Sequence, residues 1–268
     1  MLGRIKREAA SLIGRNRRSH LVRSLHGAAA FVESAYTNEG SNFSRNGEER
    51  AIRALRGAGI KIAFDVGANV GDWLMEALNA WPECHVHAFE VAPPTFERLA
   101  ERVRASPHAA RATLNCFGLS DLDQKLEMYY FPEHPELTCD RQRHSGHKQV
   151  VFEGKVRTAD GYAREHGIEE LDFLKIDVEG AEYKVLKGVE RLLEDGRVQM
   201  VQFEYGAFSI QTRMLLADYY QLLTRYWIGK IYPTYVDFRD YEWTMEDFRF
   251  ANFIAVSRSR QELRKLLE

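Results

Sequence analysis

Only three cysteines occur in 268 residues, Cys84, Cys116 and Cys139, an odd number with no C-x-x-C pair. Their scarcity and wide spacing argue against a disulfide framework and predict the reduced thiols of a cytoplasmic protein. No apolar run approaches the roughly 18 residues that a membrane span needs. The start, Met1-Leu-Gly-Arg-Ile-Lys-Arg, is basic but no apolar segment follows it, so the sequence predicts no secretory signal. A net charge of −2 provides no global field for nucleic acid. Internal repeats and low-complexity tracts are missing as well. What remains, 45% hydrophobic and 28% charged residues, is the composition of one large globular domain with an appendage.

The chain is organised around Ile62-Ala-Phe-Asp-Val-Gly-Ala-Asn-Val-Gly71. Ile62, Phe64 and Val66 alternate as in a short strand, Gly67 and Gly71 bracket a turn, and Trp73 to Leu78 runs at helical spacing. Strand, glycine turn and helix open a doubly wound sheet, in which ligands sit at the carboxyl ends of the strands. The spacing Asp-x-Gly-x-x-x-Gly differs from the Gly-x-Gly-x-x-Gly of dinucleotide sites. Asp65 beside the turn would repel a pyrophosphate but suits the ammonium of an amino-acid cofactor. The run His85-Val-His-Ala-Phe-Glu90 ends a second strand in an acid that can accept from both ribose hydroxyls. Together these features point to S-adenosylmethionine (SAM).

Residues 1 to about 34 show apolar positions at three-to-four spacing and predict helix. Their first 26 residues hold seven Lys or Arg against Glu8 alone. Such a helix either packs with a solvated basic face or makes peripheral contact with an anionic membrane. Tyr36 to Gly47 is polar and reads as linker or lid, which places the domain boundary between an extension, 1–47, and a main domain, 48–268. Asn46 is suited to cap a helix that carries Glu48 and Glu49 in its first turn. Ala112 to Leu119 predicts a third strand with Ser120-Asp121 at its end, beside an adenine. Leu126 to Phe131 and Val150 to Val156 predict paired strands. Between them, Pro132 to Gln149 carries His134, His144, His147, Arg141, Arg143, Lys148 and Cys139. It lacks paired zinc-ligand spacing and reads as a cover over the site that selects an acceptor.

Leu171 to Asp177 and Val198 to Glu204 predict the fourth and fifth strands, with Trp227 to Tyr235 and Ala251 to Val256 as a closing antiparallel pair. Asp65, Glu90, Asp121, Asp177 and Glu204 therefore each lie at or just past a strand's carboxyl end. One such acid is commonplace, but five describe the rim of a polar site.

Phe64-Asp-Val-Gly-Ala-Asn-Val-Gly71, Ala88-Phe-Glu90 and Leu174-Lys-Ile-Asp-Val-Glu-Gly-Ala-Glu182 with Val185-Leu-Lys-Gly188 resemble the FkbM family of SAM-dependent methyltransferases. Asn46-Gly-Glu48, Thr158-Ala-Asp160 and Ala251-Asn-Phe-Ile-Ala-Val256 are similar to further elements of that family. Ala159 departs from the family's Thr-Leu-Asp, and Glu90-Val-Ala-Pro93 replaces its Glu-Pro. The resemblance covers residues 44 to 256. It implies an α/β, Rossmann-like class I fold of seven strands, order 3-2-1-4-5-7-6, with strand 7 antiparallel. It implies methyl transfer, commonly to a hydroxyl of a sugar or natural product. Carried over by position, Asp65, Gly67, Asn69, Gly71, Glu90 and Asp121 would bind SAM, with Ser120 beside Asp121.

Asp177 stands where the methyl group should sit, so either it is a general base or a metal ligand, with Glu204 as partner and Lys175 orienting it, or it and Glu179 cap the helix that follows. A divalent metal, with Asp177 and Glu204 as candidate ligands, stays open, as does a homo-oligomer. Two rivals remain at this point: a SAM-binding scaffold without turnover, and a nicotinamide oxidoreductase, against which Asp65 and the missing third glycine argue.

Overall fold

In the computed structural model, which describes residues 2–143 and 146–268, one compact unit spans Met1–Gly40 and another Ser41–Glu268. Met1 and His144, both named above, lie outside the described residues. The first unit comprises α1 (Leu2–Arg15) and α2 (His20–Thr37). Ser19 starts α2, its hydroxyl accepting from the Val22 amide at 3.3 Å, and Asn38 closes it in the left-handed conformation. The division at Gly40 leaves residues 41–47 with the second unit.

That second unit opens with α3 (Glu48–Ala54) and then alternates: β1 (Ile62–Val66), α4 (Asp72–Ala80), β2 (His85–Phe89), α5 (Pro93–Arg104) and β3 (Ala112–Asn115). A small sheet follows, built from β4 (Gly118–Leu119), β5 (Gln124–Tyr130) and β6 (Val150–Arg157) in the order β4-β6-β5. Then come α6 (Ala159–Glu165), β7 (Leu171–Ile176), α7 (Glu182–Gly188), α8 (Glu190–Glu194) and β8 (Val198–Tyr205). The chain ends with α9 (Phe208–Thr212), α10 (Leu216–Leu222), β9 (Tyr226–Ile231), β10 (Val236–Phe238), β11 (Ala251–Ser257) and α11 (Gln261–Leu267).

The main sheet runs β10-β9-β11-β8-β7-β1-β2-β3. Apart from β10 this is the 3-2-1-4-5-7-6 order, with β11 antiparallel to both of its neighbours. The chain has the class I SAM-methyltransferase fold.

Two expectations are corrected. An eighth strand, β10, hairpins onto β9, because Pro233 ends the expected Trp227–Tyr235 run, and Tyr232 N donates to Tyr235 O at 2.9 Å to close the turn. The expected strand Ala112–Leu119 breaks after Asn115. There the Phe117 ring joins Phe89 at 5.7 Å and Tyr162 at 6.1 Å, which carries the chain into the small sheet. The predicted pair before and after the Pro132 loop forms as expected, Gln124 opposite Val156 through Tyr130 opposite Val150.

Strand alternation divides the core. Phe64, Val66, Leu174, Ile176, Val201 and Phe203 belong to one buried cluster, with Val185 and Leu186 of α7. Ala63, Phe173, Met200 and Ile254 belong to the other, with Ile52 of α3 and Leu74 of α4. On the second face the register sets Asp65 beside Lys175 and Lys175 beside Gln202. Period-two geometry thus lines polar residues side by side at the carboxyl ends of the central strands.

Candidate functional site

The glycine turn after β1 is built by backbone constraint. Gly67 has φ +78°, and a Cβ there would overlap the Asp177 carbonyl oxygen, so two loop backbones touch at this point. Gly71 has φ +86° and begins α4, where a Cβ would press on Leu99. Between them Asn69 is also left-handed, φ +47°, and its amide donates to Glu90 Oε2 at 3.0 Å. The other Glu90 oxygen accepts from Ala92 N at 2.8 Å. Glu90 is 6% exposed. Burial pushes its carboxyl up to about 7, against the pull of those two amides.

A cavity of about 280 Å³ opens beside this turn, lined among others by Asn69, Trp73, Glu90, Lys175, Asp177 and Glu204. Asn69 Oδ1 and Trp73 Nε1 are buried there with no hydrogen-bond partner among the described residues. Asp65 is wholly buried behind it, with Lys175 Nζ 3.3 Å from Oδ1 as its ion-pair partner and no well-aligned hydrogen bond among the described residues. Unsatisfied donors and acceptors around one cavity fit a ligand that carries both. Ser120 and Asp121, expected at an adenine, are not among the lining residues. They follow Gly118 of the small sheet, which does line the cavity, and Ser120 Oγ donates to Asp121 Oδ1 at 3.0 Å. The Ser120 carbonyl lies against Gly188, where no Cβ would fit.

Lys175 sits at the centre of the charge. Its Nζ is 3.3 Å from both Asp65 Oδ1 and Asp177 Oδ2 and donates to Gly67 O at 3.2 Å. Burial alone would depress this ammonium, but Asp177, Asp65, Glu48 and Glu204 together push it up, so it stays charged. One carboxylate oxygen each from Asp177, Glu179 and Glu204 lies within 4.8 Å of the other two. Burial and the neighbouring acids raise Glu204 well above the ordinary carboxylate range. They also lift Glu179 to about 7, although Arg143 Nη2 donates to Glu179 Oε2 at 2.9 Å. Acids this close repel one another as anions, which adds to burial in pushing Glu179 and Glu204 up. Glu182 shapes the loop from below, Oε1 accepting from Val178 N at 3.1 Å and Gly180 N at 3.0 Å.

Glu48, expected in a helix's first turn and within the family-like Asn46-Gly-Glu48 element, lines the cavity. Its carboxylate accepts from Asn46 Nδ2 at 2.6 Å, Gln202 Nε2 at 2.5 Å and Asn252 Nδ2 at 3.3 Å. The available signal was Gln202 and Asn252, two amides inside otherwise apolar strands.

The Pro132–Gln149 segment does border the cavity, through Pro135, Glu136 and Thr138. Its cations, expected to face the acceptor, are partly consumed within the chain. Arg143 pairs with Glu179 and lies 4.0 Å from the Phe208 ring centre, and Arg141 pairs with Asp140, which also holds Lys184 at 2.6 Å. Among the described residues no group of His and Cys side chains has metal-ligand spacing.

Residues 65–227 match the family model described as the methyltransferase FkbM domain. The chain belongs to that family. Relatives within reach of this FkbM domain include methyltransferase sdnD of Sordaria araneosa, 28% identical over 153 residues, 47% of this chain and 59% of that one. The 31-O-demethyl-FK506 methyltransferase FkbM of Streptomyces tacrolimicus is 30% identical over 157 residues, 48% of this chain and 59% of the relative. The hexuronic acid methyltransferase AglP of Haloferax volcanii is 25% identical over 174 residues, 64% and 69% of the two chains. The chain spans under two thirds of the length of the first two relatives, 59% of each. Membership of the FkbM family removes the nicotinamide rival.

Proposed function

We propose that this protein transfers a methyl group from SAM to a hydroxyl oxygen of a sugar or natural-product acceptor. The observation that carries the reading is the convergence of Asp177, Glu179 and Glu204 within 4.8 Å on the cavity that Glu90 and Asn69 border. SAM supplies a methyl group already activated on a sulfonium. Glu90 would take the ribose, the Gly67–Gly71 turn the amino-acid portion, and Asp65 the charge of its ammonium through the Lys175 network. Ser120 and Asp121 keep an adenine role only if the cavity extends toward them on binding.

A neutral hydroxyl is a poor nucleophile, so its proton must leave as the oxygen attacks. Asp177, held by Lys175, is the accepting carboxylate, and Glu204 shares the proton. Positioning of the hydroxyl in line with the methyl group supplies the larger share, roughly 7–11 kcal/mol. A second cavity of about 110 Å³ adjoins the first through Glu204 and Phe250 and includes Tyr205 and Phe208. Aromatic faces beside carboxylates suit a sugar, whose C–H face stacks while its hydroxyls donate. The same three acids also favour a divalent cation that would polarise the hydroxyl instead.

The test is calorimetric titration with SAM, followed by an S-adenosylhomocysteine release assay over a panel of sugar and polyketide acceptors, with and without EDTA. SAM binding with release on a hydroxylated acceptor supports the reading. Failure to bind SAM overturns it, and binding without turnover on any acceptor would leave a SAM-binding scaffold.

A further inference from the structure

The Met1–Gly40 unit carries a second surface that methyl transfer does not use. On α1, Ile5, Ala9, Leu12 and Ile13 share one helical face while Arg4, Arg7 and Arg15 share the opposite one. On α2, Leu21, Leu25, Ala28 and Val32 form a similar stripe. Nothing within this unit covers these apolar side chains: Ile5, Leu12, Ile13, Leu21, Leu25 and Val32 are all more than half exposed, and α2 buries no residue at all.

Charge is divided along the chain in the same sense. Residues 1–40 hold seven Lys or Arg against Glu8, Glu33 and Glu39, a net +4. Residues 41–268 hold the remaining 30 of the 37 basic residues against 36 of the 39 acids, a net −6. An amphipathic helix with a basic polar face gains twice at an anionic bilayer, once from its buried stripe and once from the headgroup charge. A second copy of the same unit would bring +4 against +4, so the charge favours lipid over self-association. A transbilayer arrangement does not fit, because no helix of the described residues is long and apolar enough to cross a membrane.

We infer that residues 2–37 dock this enzyme on an anionic lipid surface, with α1 lying in the interface plane and its Ile5-Ala9-Leu12-Ile13 stripe turned into the acyl boundary. The Arg and Lys side chains of α1 and of the Asn16–Ser19 turn then reach the lipid phosphates. The catalytic unit is thereby held at a membrane face, where lipid-linked or membrane-bound acceptors would be met in two dimensions.

The full chain should co-sediment with phosphatidylcholine vesicles containing phosphatidylglycerol, weakly with pure phosphatidylcholine, and less as salt rises. Reversal of Arg4, Arg7 and Arg15 to Glu should weaken partitioning by at least about fivefold for each cation removed. Leu12→Asp with Ile13→Asp should abolish it although every cation is kept, while SAM affinity stays unchanged as a check that the second unit is intact. No sedimentation with the anionic vesicles at low salt overturns the inference. So does binding that survives Leu12→Asp with Ile13→Asp, and so does a dimer in sedimentation equilibrium that those substitutions dissociate when vesicles are not bound. Each of these outcomes is independent of whether the acceptor is a sugar.

Discussion

Gln202 Nε2 donates to Glu48 Oε2 at 2.5 Å, joining the middle of the fifth parallel strand to a helix 154 residues earlier. The bond fastens α3 over the carboxyl ends of β7 and β8 and sets a third carboxylate beside Lys175. Glu48 is 8% exposed, and burial raises its carboxyl while Asn46 and Lys175 pull it down. Glu48→Gln keeps the shape but replaces one acceptor oxygen by an amide that faces the donors of Asn46, Gln202 or Asn252. That mismatch should cost about 1–3 kcal/mol of stability. Urea unfolding reads it directly, and an unchanged midpoint and slope would show that the three amides do not depend on this carboxylate.

If Glu90 takes the ribose as proposed, SAM binding should depend on pH. Its carboxyl stands near 7 through burial, above the ordinary carboxylate value, so below that pH the folded protein holds the proton. Ribose hydroxyls and a sulfonium both favour the ionised form. Affinity for SAM should therefore climb as pH rises through about 7 and level off above it, with proton release on binding. Calorimetry in two buffers of different ionisation heat measures the proton. Glu90→Ala should lose about 1.5–3 kcal/mol of binding, and Glu90→Gln should flatten the profile. Proton uptake, or an unaltered profile in Glu90→Gln, would remove Glu90 from the ribose.

Arg143 links the Pro132–Gln149 segment to the acidic cluster. It donates to Glu179 Oε2 at 2.9 Å and to Cys139 by way of Nε at 3.2 Å, with its guanidinium over Phe208. Arg143→Ala releases the segment and leaves Glu179 without its cation, which raises that carboxyl further. The acceptor KM should rise severalfold while SAM affinity changes little. A collapse of SAM affinity with the fold intact would move the segment from the acceptor side to the cofactor side.

Much of this site was legible because its acids close strands whose apolar alternation is strong. Asp65, Glu90, Asp177 and Glu204 all reach the strand ends that pattern alone assigns, and three of the five rim acids line one cavity, with Asp65 buried behind it. Asp121 does not, since its strand breaks at Cys116-Phe117. Two apolar residues later in the run, Gly118 and Leu119, look like a continuation of β3 but pair with β6. Period-two pattern reports that a stretch is extended, not which sheet it joins. The bonds of Glu48 to two strand amides were hidden for a related reason. An acid in a helix's first turn has a sufficient local explanation in the dipole, and only the third dimension brings Gln202 and Asn252 to it.

The proposed chemistry turns on Asp177. Lys175 Nζ holds its Oδ2 at 3.3 Å, and Glu179 and Glu204 crowd it within 4.8 Å. Asp177→Asn preserves the shape and the capping capacity of the side chain but can neither accept the hydroxyl proton nor hold a cation as an anion. With SAM bound, turnover should fall by roughly 10²–10⁴-fold, the ordinary worth of a positioned base, while SAM affinity shifts by far less. With Glu204 as the proposed proton partner, Glu204→Gln should move the pH–rate profile as well as its height. A base and a cation then part company under EDTA. Wild-type turnover that survives EDTA, with Asp177→Asn inactive, assigns the carboxylate itself. Turnover lost on chelation and restored by added divalent cation assigns the ligand role. Near wild-type turnover by SAM-bound Asp177→Asn would show that Asp177 has no part in the chemistry and that its contact with Lys175 serves only the loop that follows β7.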